Sequence, residues 1–165
     1  LTDHLNRITV SKLLNEKPTI RVAACSYMIE NLVSMEINKH NIDVIEYHKL
    51  YDYGAFKVKA FPLVHDILNC GWKIYFPDGK KAIYAVDCKN LDGITAKGYD
   101  LYLIEANYGE TEIKERIRNK EYNGEFCYEY RAIKNHMSRE KAERWVAENK
   151  GDGSEVIFLH QHKGS

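Results

Sequence analysis

WKIYFPDGKKAIYAVDCKNLDGITAKGYDLYLIEAN, residues 72–107, decides the reading of the fold. Pro77-Asp78-Gly79 is a turn signal between two apolar runs, WKIYF (72–76) and KAIYAV (81–86), and predicts a hairpin. A third run, LYLIEAN (101–107), predicts another strand beyond a polar, glycine-containing loop. The run that ends at Val86 is closed by Asp87. An acid in that place costs desolvation unless it is paired or bound to a cation. Its bland alternative is a turn acid capping the loop CKNLDG.

Outward from this stretch the same alternation continues. Upstream, TIRVAACS (19–26), IDVIEYH (42–48) and AFKVKAFPLV (55–64) read as strands, with a rough helical stripe over 27–38. Downstream, residues 111–122 read as a charged helix. Ser138 caps a second helix with Ala142, Trp145 and Val146 inward and Gly151 as its stop. EVIFLH (155–160) is the last strand. Strand-rich meanders followed by alternating strand and helix predict a layered α/β domain with a mixed sheet. No repeat or linker divides the chain, so one domain over 1–162 is expected, with Lys163-Gly164-Ser165 as a tail or linker scar.

Composition bounds the function. Twenty-four basic and 24 acidic residues leave no net charge, which argues against a large non-specific nucleic-acid surface. The four cysteines, Cys25, Cys70, Cys88 and Cys127, form no CxxC pair. Cys25 and Cys88 lie in apolar runs, so buried thiols, a reducing compartment and cytoplasmic placement are expected. No stretch is apolar for long enough to span a bilayer, and no signal peptide is visible. The chain opens on Leu1 rather than Met, so a fragment, a processed form or an edited chain is expected.

Of the seven histidines, His40, His48 and His162 read as surface or satisfied residues. Four other places differ, because each sits beside a strand-like run: Asp3-His4, His65-Asp66 after AFKVKAFPLV, Asp87, and His160 after EVIFL. Strands that each deliver one His or Asp to a common edge build a metal site from distant parts of a chain. His136, in Asn135-His136-Met137-Ser138, stands just before the capped helix.

The order Asp-His, strand, His-Asp, hairpin, Asp, strand ending IEAN, NHMS with a helix, and strand ending in His resembles the metallo-β-lactamase superfamily, nearest to its ribonuclease Z-like and phage phosphodiesterase branches. The resemblance implies an αββα sandwich, incomplete at the N-terminus, with mixed sheets and flanking helices. It implies two metal ions, zinc or else manganese, held by Asp3, His4, His65, Asp87 and His160, with Asp87 bridging. By the same resemblance Asp3 orients an attacking hydroxide and His136 donates a proton to the leaving oxygen. Glu105 and Asn107 match a recurrent strand ending and are expected to be structural. The implied activity is a metal-dependent phosphodiesterase on RNA, DNA or a cyclic nucleotide. The alternative is a degenerate member acting as a binding module. Two departures stand out: the HxHx half of the HxHxDH motif and the strands that precede it are absent, which leaves an open sheet edge that a second copy could cover.

Overall fold

The computed structural model describes residues 6–162, and its contacts divide the chain into two compact units, one ending at Lys49 and the other starting at Leu50. Asp3 and His4 lie outside the described residues.

In the first unit, α1 (Arg7–Glu16) starts at Asn6, whose side chain accepts the Thr9 N–H at 2.9 Å. The strands β1 (Val22–Cys25) and β2 (Ile42–Ile45) pair in parallel, with α2 (Ile29–Ser34) between them in the chain. Leu14, Ala24, Leu32 and Ile37 are the buried centre of this unit. Arg21 clamps Asp43 and donates to the His40 carbonyl at 2.8 Å, fixing the approach to β1.

The second unit is built on one six-stranded mixed sheet: β3 (Leu50–Asp52), β4 (Lys57–Pro62), β5 (Cys70–Tyr75), β6 (Lys81–Ala85), β7 (Leu101–Glu105) and β8 (Glu155–Leu159), neighbours in that order. Pairing is antiparallel from β3 to β6 and parallel from β6 to β8. The predicted hairpin is present. Gly79, at φ 87°, supplies the left-handed residue of the turn, and Phe76 and Lys80 close it at 2.9 Å. Gly71 lies opposite Phe61, and a Cβ there would meet the Phe61 ring at 2.3 Å, so only glycine lets this ring lie against the neighbouring strand.

Three helices lie between β7 and β8 in the chain: α3 (Glu110–Asn123), α4 (Glu129–Asn135) and α5 (Arg139–Asn149). Ser138 caps α5 as expected, accepting the Lys141 N–H at 3.2 Å. The helix stops at Asn149 with Lys150 already extended, so Gly151 is not its stop; the Asn149 amide instead caps Trp145 O at 2.9 Å and ends the turn. The strand predicted to run to Val64 ends at Pro62, which leaves His65 on a loop. Ile83, Ala85, Tyr102 and Ile104 face Ala142 and Val146 in the main core. The Tyr102 hydroxyl lies 2.6 Å from Ala96 O and 2.9 Å from Asn149 O, and accepts the Tyr99 N–H at 3.1 Å. That buried hydroxyl ties the β6–β7 loop to the end of α5. Cys25 and Cys88 are buried, as their apolar contexts predict. Among the described residues no helix is long and apolar enough to cross a membrane.

Candidate metal centre

The ends of β6, β7 and β8 meet at one carboxylate. Glu105, the last residue of β7, is completely buried. Its Oε2 accepts the Cys88 N–H at 2.6 Å, which places Asp87 beside it. Its Oε1 lies 2.7 Å from His136 Nδ1 and 2.9 Å from His160 Nδ1. Burial alone would raise the pKa of this acid. The hydrogen bonds from His136 and His160, with that from Cys88, outweigh it and hold Glu105 below the ordinary carboxylate range.

Local pairing explains the convergence. Parallel register sets Glu105 opposite Leu159, and Ala106 donates to Leu159 O at 3.0 Å, so the next residue of that segment, His160, arrives at Glu105. On the other side, Asn107 donates to Met137 O at 2.9 Å and Arg139 to Tyr108 O at 2.8 Å. These two bonds lace the segment after β7 to the one before α5 and bring His136 in.

Asp87 and His160 are both left-handed, at φ 59° and 51°. Such backbone costs about 1–3 kcal/mol per residue and persists where its surroundings over-determine it. Here each carbonyl is gripped by an asparagine amide: Asn69 donates to Asp87 O at 2.7 Å, and Asn107 to His160 O at 2.9 Å. The side chains then meet, with His160 Nδ1 3.1 Å from Asp87 Oδ1. Hydrogen bonding to Asp87, and then to Glu105, raises the His160 pKa to about 10.

Asp87, Glu105, His136 and His160 each offer a ligand atom, all within 4.8 Å of one another, a group that could hold a metal ion. Glu105 already receives three hydrogen bonds, so its chemistry is that of a buttress behind the two imidazoles. His65, on its loop, is not in that group but lies against it. Its ring centroid is 5.1 Å from that of His136, which in turn is 5.0 Å from that of His160. His65 Nε2 is buried with no hydrogen-bond partner. A buried imidazole nitrogen left unpaired beside the ring of a second histidine, His136, has the chemistry of a cation ligand. Of the ligands named from the sequence, Asp87 and His160 belong to the group that could hold a cation, and His65 lies next to it.

The structure thus gathers His65, Asp87, His136 and His160, named from the sequence. It adds Glu105 as the hub, where the sequence suggested only a structural residue. The signal was available: Glu105 interrupts an apolar run as Asp87 closes one, and the same desolvation argument applies.

No family model matches the chain, and no curated protein does. Among solved structures it is similar to the metallo-β-lactamase fold protein YhfI from Bacillus subtilis, with TM-score 0.62 and 16% identity, over 88% of this chain and 54% of that one. An alignment to human tRNase Z, short form, has TM-score 0.45 and 19% identity, over 67% of this chain and 38% of that one. The likeness to YhfI shows the fold: the chain has the metallo-β-lactamase fold, as its motif order implied. It spans about half the length of YhfI (54%).

Proposed function

We propose that the cluster is the site of a metal-dependent hydrolase, a phosphodiesterase acting on RNA, DNA or a cyclic nucleotide. The observation that carries this reading is the His136–Glu105 pair, 2.7 Å apart and flanked by the rings of His65 and His160. A buried carboxylate on Nδ1 fixes the His136 ring and leaves Nε2 as the nitrogen that exchanges a proton with a substrate oxygen. A divalent cation, zinc or manganese, supplies Lewis acidity toward a phosphoryl oxygen when bound. His65, Asp87 and His160 would hold it, Glu105 orients His160 and His136, and His136 handles the proton of the leaving oxygen.

The test is elemental mass spectrometry of the chain purified without chelator, followed by hydrolysis of bis-p-nitrophenyl phosphate and then of cyclic nucleotides and RNA. The expected result is at least one zinc or manganese per chain, lost in Asp87→Ala together with turnover. Folded protein that takes up no cation would overturn the reading and leave a binding module with a degenerate site.

A further inference from the structure

We infer that Tyr128 is a positioning residue for His160. It clasps His162, just beyond His160, and so holds in place the segment that follows β8. The inference rests on the reading of His160 as a cation ligand.

That segment needs holding. Among the described residues β8 pairs with β7 alone and ends at Leu159, and His160 then has a left-handed backbone at φ 51°. A non-glycine residue keeps such a backbone where its surroundings over-determine it. Asn107 grips the segment from the β7 side. Its side-chain amide donates to His160 O at 2.9 Å, and its carbonyl accepts the His162 N–H at 2.8 Å. Gln161 folds back on its own strand, its amide donating to Phe158 O at 2.8 Å. The tether to the helices comes from Tyr128, at the start of α4. Its hydroxyl lies 2.5 Å from His162 Nε2, and the two rings meet edge to face with centroids 5.6 Å apart. A hydroxyl both donates and accepts, so either tautomer of His162 satisfies the contact.

Tyr128 is itself fixed. The Lys120 ammonium of α3 stands over its ring, 4.1 Å from the centroid. That ammonium is 2.9 Å from Oε1 of Glu129, whose side chain is 1% exposed. A buried carboxylate thus pins a lysine, the lysine pins an aromatic ring, and the hydroxyl of that ring reaches the chain just past a candidate ligand. A phenylalanine would keep the ring and its cation contact and lose the bond alone, so Tyr128→Phe isolates the clasp. Tyr128 is 41% exposed, so water competes for its hydroxyl. The clasp is therefore worth one ordinary hydrogen bond, about 2–10-fold in an equilibrium constant.

The first readout is amide hydrogen exchange by NMR on the cation-free full chain. The His162 N–H is expected to exchange about 2–10-fold faster in Tyr128→Phe, with the amides of β5 and β6 unchanged. The second is zinc affinity, by competition with a chromophoric chelator. It is expected to fall by about the same factor in Tyr128→Phe and in His162→Ala, and no further in the double variant, as for two ends of one bond. His162→Gln can still bond to the hydroxyl and is expected to stay near wild type. In a His160→Ala background Tyr128→Phe is expected to leave zinc affinity where it was, because the effect passes through His160. Unchanged exchange in Tyr128→Phe, additive losses in the double variant, or a loss that persists without His160 would overturn the inference. If wild type takes up no zinc, the hydrolase reading falls and the exchange rates alone decide the clasp.

Discussion

His160 Nδ1 and Asp87 Oδ1 meet at 3.1 Å across two strand ends whose backbones are both left-handed. Neither conformation is favoured on its own, and each is held by an asparagine grip on the carbonyl. Asn69→Ala and Asn107→Ala are each expected to cost about 1–3 kcal/mol, the penalty of leaving a polar group without its partner. Urea unfolding measures the loss. A zinc titration on the same variants is expected to weaken as well, because the ligands relax toward ordinary backbone.

Removing the hub is expected to be worse than removing either histidine it holds. In Glu105→Ala two imidazoles and the Cys88 N–H lose their acceptor in a dry site, and breaking a buried pair from one side costs about 3–5 kcal/mol. Glu105→Gln keeps the volume and one acceptor oxygen, and a smaller loss is expected. Chemical denaturation of the two variants side by side gives the comparison.

The cation-free protein is expected to lose stability as pH rises. His160 has a folded pKa of about 10, raised by Asp87 and Glu105, against an ordinary imidazole value of about 6.5. A raised pKa contributes stability that is fully present below about pH 6.5 and is lost as pH climbs toward 10. Melting temperature of chelated protein across that window checks it, and His160→Ala should flatten the slope. The opposite sign holds for Asp66, whose carboxyl stays below its ordinary value because His65, Arg131 and Asn135 outweigh its burial. Its contribution is lost as pH falls into the acid range.

The role of His136 separates by leaving group. If it donates a proton to the departing oxygen, His136→Ala should cost about 10²–10⁴ in kcat on RNA or a cyclic nucleotide, whose leaving alkoxides need that proton. On bis-p-nitrophenyl phosphate the loss should be far smaller, because the nitrophenolate leaves unprotonated. Equal losses on both would mean that His136 acts through the cluster geometry. Bound zinc should be retained in the variant.

The sequence carried the candidate site further than it carried the elements around it. An apolar run closed by an acid or a histidine is a local signal, and it picked out Asp87 and His160. The part played by Glu105 is set by parallel register with β8 and by the backbone of Cys88, neither of which a run of residues displays. Strands with clear alternation, such as β5 and β6, were legible. The three-residue β3 was not, since Leu50-Tyr51-Asp52 is too short for a period. Helix α4 also escaped: its N-cap, Tyr128, makes no side-chain capping bond, and its anchor is the buried Glu129 paired with Lys120 of α3 at 2.9 Å, a contact between helices.

The last consequence concerns β8. Among the described residues it is an outermost strand of its sheet, paired on one side alone, and His160 follows directly on its last residue, Leu159. Edge strands open locally at a lower cost than the strands inside a sheet. The site therefore has one hinged wall and several fixed ones. In the proposed site, local opening of β8 would withdraw His160 before the donors on the inner strands. Stiffening that edge would lengthen the residence of a captured ion while leaving the rest of the donor set as it is.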